Sequence, residues 1–450
     1  MTLGVSVAEI VENSKNPLLA IHPSWERVLL GDVADILNGF AFESAKFSKD
    51  DGFPLIRIRD IGESKTDAFY TGDFDKAYVV KAGDLLIGMD GDFNSARWAG
   101  ENALLNQRVC KVTLKTTNYH PKFLEYALPG YLKAINDHTS AVTVKHLSSR
   151  TVAEIPLPYP PLPEQERIVA KIEELFTQLE AGTAALKRVQ VGLKRYKASV
   201  LKAAVEGRLS NVGGHGVRPF SEESSPAQAG RTPSARTEGE LPDGWRWTTV
   251  AELAANEPYS ITDGPFGSKL KTEHYTDAGP RVIRLQNIGD GEFQDAKAHI
   301  SQSHFETLKR HRIYAGDLVI AGLGESLPRA CIIPDYVGNA IVKADCIRFK
   351  PNPQIADTKY LLFALNSETV KKLVAKVVHG IGRPRMNQQE IKAIPIPLPP
   401  LAEQRRIVAE VERRLSVAQE VESVVAASLA RAGRLRQSVL KSAFEGRLAP

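Results

Sequence analysis

Apolar or small residues recur at 168, 172, 175, 179, 182, 186, 189, 193, 196 and 200, in alternating steps of four and three. Such steps keep one stripe on one side of a helix, and sustained over several heptads they predict a long coiled-coil helix. The flanks set its ends. The run IPLPYPPLP (155–163) opposes helix until Pro163, which falls in a first turn where its missing N–H is harmless. Glu164 and Glu166 suit the positive helix N-terminus, and Gly207 in Glu-Gly-Arg-Leu suits a left-handed C-terminal cap. The stripe returns at Ile407, Val411, Ala418, Val421, Val425, Ala432, Leu435 and Val439. Arg414 and Ser428 are its poor members, shadowed by Leu415 and Leu429, and this second helix closes on Gly446.

Elsewhere the pattern is shorter. β-branched stretches bounded by Gly and Asp turns predict strands at Leu55 to Ile58, Val79-Val80, Leu85 to Ile87 and Val109 to Leu114. A second set falls at Val282 to Leu285, Leu318 to Ile320, Ile341-Val342 and Cys346 to Phe349. Helical spacing follows each set, at Pro121 to Ile135 and Thr358 to Val378, so each half is a mixed domain with helix after sheet, an α+β fold.

The two halves are copies. Ile155 to Leu209 aligns without a gap onto Ile394 to Leu448 at an offset of 239, with 23 of 55 positions identical. Identities concentrate at the helix start (Pro160 to Leu162, Glu164, Gln165, Arg167 to Ala170) and end (Ser199 to Lys202, Glu206 to Leu209). Upstream, IRIRDIG (56–62) answers IRLQNIG (283–289), and AGDLLIG (82–88) answers AGDLVIA (315–321). A repeat this long means a tandem duplication of one domain plus one helix, an internal pseudo-two-fold. Residues 210–240, rich in Gly, Ser, Pro and Glu, predict a flexible linker. The expected organisation is a domain over 1–160, a helix over 161–209, the linker, a domain over 241–398 and a helix over 399–450.

Charge bears on how the helices meet. The first has five acids and two bases over 164–185, then one acid and seven bases over 186–208; the second has five and four, then one and five. An antiparallel pair sets each acidic half against the other's basic half, whereas a parallel pair sets like against like. The alternative is that each gradient merely complements its own helix dipole.

With 43% apolar and 25% charged residues and a formal charge of +5, the composition is that of an ordinary globular protein and is compatible with a polyanionic partner. No run of about 18 apolar residues is present, and the first twenty residues lack a signal-peptide layout, so a cytoplasmic protein is expected. Cys110, Cys331 and Cys346 offer neither a CxxC pair nor a metal cluster and are expected to be buried. No metal site and no catalytic residue is expected. GPFGSKL (264–270) has the wrong spacing for a phosphate loop, and GLGES (322–326) lacks the third glycine of a dinucleotide fingerprint and reads as a turn. Asn16-Pro17-Leu18 does not complete an adenine-methyltransferase motif, and Glu390-Ile391-Lys392 reads as a solvated helix or turn rather than half of a nuclease site.

IPIPLPPLAEQRRIV at a helix start, duplicated, with SVLKSAFEGRL at its end and GPFGSKLKTEHY and AGDLVIA in the preceding domain, resembles the specificity subunit of type I restriction–modification systems, from about Pro23 to the C-terminus. The resemblance implies that the two domains are target-recognition domains, each reading one half of an asymmetric bipartite site in double-stranded DNA, spaced by the paired helices. It implies two modification (methyltransferase) subunits as partners, and restriction/translocase subunits in the full complex. S-adenosylmethionine, ATP and Mg would then belong to the partners and none to this chain. The first repeat departs from the pattern, with Asn38-Gly39-Phe40-Ala41-Phe42 where the second has GPFGS.

The candidate DNA contacts are Arg57, Arg59, Arg97, Gln107, Arg108, Lys145 and His146 in the first half. In the second they are Lys269, Lys271, Arg284, Gln286, Asn287, Arg329, Arg383, Arg385, Asn387 and Gln388. Arg pairs with guanine edges, Asn and Gln with adenine, and Lys mainly with phosphate. The basic, amide-rich run HGIGRPRMNQQ (379–389) is the first choice; His274 reads better as structural, and Trp98 as core. For each of the others the alternative is a solvated surface residue. Glu164, Gln165 and Arg167, matched by Glu403, Gln404 and Arg406, recur as exposed residues and are read as a duplicated docking site for two identical partners, or else as helix caps. A protein-binding coiled-coil scaffold would show no salt-dependent DNA affinity, and an unrecognised enzyme would turn over nucleic acid alone.

Overall fold

Both Pro-rich segments lead into helices of 44 residues, Leu162–Val205 and Leu401–Phe444, each with an acidic residue in its first turn and a lysine in its last. These come from a computed structural model that describes residues 5–139, 145–209, 241–376 and 384–448; the expected linker lies outside the described residues. The chain divides into two units, Met1–Lys187 with Ala426–Pro450, and Arg188–Val425.

The first unit holds a four-stranded antiparallel sheet in the order Ala34–Asn38, Val109–Leu114, Leu85–Gly88, Ser95–Arg97. A five-stranded sheet contains a parallel pair, Phe53–Ile56 with Ala103–Leu105, and a two-stranded ribbon joins Glu26–Leu29 to Pro156–Tyr159. The second unit repeats this plan. Its antiparallel sheet runs Ile261–Thr262, Cys346–Phe349, Leu318–Ala321, Arg329–Ile332. Its parallel pair is Tyr275–Ile283 with Ala340–Val342, and its ribbon is Arg246–Thr249 with Pro395–Leu398. The three cysteines are free and buried in these cores, and burial pushes the Cys110 and Cys331 thiols to about 12, far from thiolate chemistry.

Each unit also buries parts of both long helices. In the first, Ile168, Ile172 and Phe176 from the start of one helix share a core with Ala443 and Phe444 from the end of the other. Full burial of such side chains is worth roughly 1.5–3 kcal/mol each. The His22 amide donates to the Phe444 carbonyl at 3.0 Å, and Gly446, at φ +70°, lies where a Cβ would meet the His22 ring at 2.6 Å. In the second unit, Val200, Ala204 and Val205 from the end of the first helix join a core with Ile407, Val408 and Val411 from the start of the second. There Gly207, at φ +69°, leaves no room for a Cβ beside Pro242. The start of each helix thus shares its unit with the end of the other, and the pair is antiparallel. Charge pairing agrees: Arg436 meets Glu180 at 3.2 Å in the first unit, and Lys197 meets Glu422 at 2.5 Å in the second.

Three sequence expectations need correction. The apolar stripe is not sealed along its whole length: Ala418, Val425 and Ala432 are buried, but Val189, Val421 and Leu435 are 44%, 38% and 48% exposed. The expected helix 358–378, whose last two residues lie outside the described residues, is two helices, Thr358–Asn366 and Glu368–Ala375, broken at Ser367 (ψ 145°). Asn366 drives the break by bonding both the amide and the carbonyl of Ala330 on the sheet edge, and the Ser367 hydroxyl caps the next helix at the Val370 amide. The strands at 55–58 and 282–285 end early, at Ile56 and Ile283, because Asp60 and Asn287 accept the Arg57 and Arg284 amides and curl the chain into a 3-10 turn.

Candidate nucleic-acid interface

Three segments meet at the rim of each antiparallel sheet. In the first unit they are Met89-Asp90 after one strand, Arg108 before its neighbour, and His146-Leu147 returning toward the short helix Ser149–Ala153. Backbone bonds tie them: the Met89 amide donates to the Arg108 carbonyl at 2.9 Å, and the Leu147 amide to the Met89 carbonyl at 2.7 Å. The second unit repeats both bonds, Gly322 amide to Asp345 carbonyl and Met386 amide to Gly322 carbonyl, each at 2.7 Å. The isolated bridges Asp90 with His146 and Leu323 with Arg385 match as well. Positions 90, 108 and 146 therefore correspond to 323, 345 and 385.

On this shared backbone the side chains differ. In the first unit Asp90 holds both the Arg108 guanidinium, Nη1 at 3.2 Å, and the His146 ring, Nδ1 at 2.6 Å, beside an open hollow that Arg57, Arg59, Asn94 and Asn106 also line. In the second, Asp345 holds Arg385, whose Nη2 and Nε lie 2.7 and 3.0 Å from one carboxylate oxygen, beside a hollow lined by Phe266, Asn387 and Gln388. Sequence reasoning missed Asp90 and Asp345, which carry the wrong sign for a DNA contact. Aligning the three segments with their separate offsets, rather than the whole chain with one, would have found them.

The departure at Asn38-Gly39-Phe40 is smaller than its sequence implies. Gly39 sits where a Cβ would meet the Asn106 carbonyl oxygen at 2.0 Å, and Gly264 of GPFGS sits equally close to the Lys343 backbone. Both repeats use a glycine for the same close approach.

The other candidates divide by burial. Arg59, Gln107, Gln286, Lys269 and Lys271 are exposed. Arg57 is held by Asp60 and Asp67, whose hydrogen bonds raise its pKa above the usual guanidinium range. Arg97 lies apart from the hollow, bonded to Glu125 at 2.7 Å and to the carbonyls of Gly83 and Pro121. Lys145 is bound to Asn136, Arg284 reaches the carbonyls of Ala296 and Lys297, and Arg329 that of Leu285. Asn287 is fully buried and donates to the Gln294 and Ala296 carbonyls, so it is a structural lock and not a base reader. Asn387 spends its Oδ1 on the Gln389 and Glu390 amides, and Gln388 spends its Nε2 on the Ile261 carbonyl. Asn387 therefore lacks the free acceptor that an adenine edge requires, whereas Gln388 keeps its Oε1 and one N–H. The Glu390 carboxylate accepts the Asn387 amide in a capping box. His274 accepts the Lys271 amide and stacks on His304, and Trp98 is core. Arg383 lies outside the described residues.

The helix-start residues also need correction. Gln165 and Gln404, expected at an exposed docking site, are fully buried. Gln165 accepts the His120 amide at 2.7 Å and donates to the Asn118 and Pro160 carbonyls; Gln404 accepts the Asp357 amide at 2.7 Å and donates to the Ile355 and Pro399 carbonyls. Each latches its helix to the domain before it. Arg167 and Arg406 remain exposed, without an ion pair among the described residues, and Glu164 and Glu403 are partly exposed beside them.

The family described as Type I restriction modification DNA specificity domain matches residues 23–188 and 298–415. The type I restriction enzyme EcoBI specificity subunit of Escherichia coli is 35% identical over the whole of this chain and 91% of its own length. The EcoDI specificity subunit of Escherichia coli is 24% identical over 94% of this chain and 88% of its length. Among solved structures, a chain from a type I R-M system study of complex assembly and conformational transition superposes with a TM-score of 0.63 at 20% identity, covering 95% of this chain and 99% of that one. The HsdS subunit from Thermoanaerobacter tengcongensis gives 0.50 at 19%, covering 95% and 98%.

Proposed function

This chain belongs to the type I restriction–modification DNA specificity family, and from that premise we propose that it is the sequence-reading, non-catalytic subunit of a DNA-modifying complex. Each unit reads one half of an asymmetric bipartite site, and the antiparallel helices set the unread spacer. One observation carries the reading: a single duplicated backbone frame presents unlike exposed side chains, Arg108 and His146 in one copy and Arg385 in the other. Folding alone requires no such difference, whereas two different half-sites do.

Arg167 and Arg406, repeated at the same turn of both helices and exposed in each, are the docking points for two identical modification subunits. S-adenosylmethionine, ATP and Mg are then held by modification and restriction partners, and no catalytic step falls to this chain. The test is to co-express the chain with its modification subunit, map methylated adenines genome-wide, and then exchange residues 241–393 for those of another such chain. A bipartite motif is expected, with one half changed by the exchange. A single contiguous motif, or a change in both halves, would sink the reading.

A further inference from the structure

Within the second unit's frame, we propose that Arg385 is the specificity-determining residue for one guanine of the second half-site, and that Asp345 is the positioning residue that aims it. This rests on the DNA-reading role proposed above and names one of the bases that role requires.

A guanidinium has two edges that can each offer a pair of parallel N–H groups. Asp345 takes the edge formed by Nε and Nη2, through a single carboxylate oxygen. The other edge, between Nη1 and Nη2, has no partner among the described residues, and the Arg385 side chain is 59% exposed. Two parallel donors at fixed spacing match the O6 and N7 acceptors of guanine in the major groove. A clamp on the opposite edge fixes the plane of the fork, which a bidentate contact to a base edge needs. Asp345 is itself held. It adopts φ +66°, its carbonyl accepts the Gly322 amide at 2.7 Å, and a Cβ at Gly322 would meet the Met386 carbonyl at 2.8 Å. The carboxylate and the arginine are therefore carried by segments tied to one another through the Gly322 backbone.

Of the amides beside Arg385, Asn387 spends its Oδ1 on capping, whereas Gln388 keeps its Oε1 and one N–H beside its Ile261 bond; the two parallel donors that guanine's O6 and N7 take come from the guanidinium. The first unit supplies the contrast. At the equivalent places it has Arg108 for Asp345 and His146 for Arg385, and its acid, Asp90, stands at the place of Leu323, so the acid changes position while the backbone bonds are kept. Side chains that vary on an invariant frame are placed for what lies outside it.

The experiment selects duplexes from a library randomised across both half-sites, using the complex of the full chain with its modification subunit. It compares the native chain with Arg385→Ala, Arg385→Gln and Asp345→Asn. Native selection is expected to show guanine at one fixed pair of the second half. Arg385→Ala should make that pair degenerate, weaken the preferred duplex roughly 5- to 150-fold, and leave the first half and the salt dependence unchanged. Arg385→Gln should move the preference at that pair to adenine, and Asp345→Asn should broaden it. Equal weakening on every sequence with a shallower salt slope would make Arg385 a phosphate contact and overturn the inference, as would an unaltered motif. Failure of the native complex to select any bipartite motif would instead overturn the functional reading beneath it.

Discussion

Gln165 and Gln404 each bind one amide and two carbonyls of the domain that precedes their helix, and neither is reached by solvent. A glutamine meets this demand because it has an acceptor and two donors on one planar group. Glutamate would present a buried charge to two carbonyls, and alanine would leave three backbone groups unpaired. Unpaired buried groups cost about 1–3 kcal/mol each, so Gln165→Ala should destabilise the first unit by about 3 kcal/mol, with faster hydrogen exchange at the His120 amide. Gln165→Glu should fare no better. Urea unfolding followed by exchange at that amide checks both, and an unmoved midpoint with unmoved exchange in the two variants would contradict the latch. The recurrence of these residues was visible in the sequence; their role was not. A residue repeated to hold a domain and one repeated to hold a partner leave the same mark in a duplicated chain, and only burial separates them. Asn287 teaches the same lesson from the other side, since an amide in a basic loop looked like a base reader until its turn was seen to close around it.

For the helices, the prolines marked the starts to within two residues, while the ends at Val205 and Phe444 fall short of the expected spans to 209 and 450, just before the left-handed glycines that stop them. Periodicity did not locate the seam. Val189, Val421 and Leu435 carry the right spacing, yet what covers a position depends on the neighbour's phase, which spacing along one strand of sequence does not contain. The break at Ser367 is equally non-local, since the group that ends the helix early is a strand edge 36 residues upstream. Charge along the helices was more informative, as the acidic and basic halves pair across the antiparallel contact. Within the second helix, Glu410 accepts from Arg413 and Arg414 at 2.6–2.9 Å, and these bonds, Arg413's first, pull its carboxyl down to about 2. A carboxyl lowered by folding contributes stability that is present above its ordinary value of 4.5 and lost as pH falls through about 2. Glu410→Gln should therefore lower the unfolding midpoint at neutral pH by a small amount, and the gap to the native chain should close between those two values. Parallel thermal melts across that acid range are the check, and a gap that stays constant with pH would contradict the assignment.

At the scale of the molecule, a helix pair of matched length should act as a spacer. Inserting one heptad after Lys187 and one after Ala430 keeps the facing register nearly intact while adding about 10.5 Å, or roughly three base pairs. Methylation mapping of such a chain with its modification subunit should return the same two half-sites with a spacer about three base pairs longer; an unchanged spacer would separate the helices from that task. The duplication, the two long helices and the class of each domain were determined by the sequence alone, because each rests on local spacing or on self-similarity that the chain carries in linear order; the charge gradient left two readings of the helix polarity, and the packing of each helix start beside the other's end decided it. Which side chains are latches and which are free to read was decided only by the tertiary structure. The frame at 90, 108 and 146, and its counterpart at 323, 345 and 385, assembles from three stretches with different offsets, and exposure is a property of what packs against a residue rather than of the residue itself.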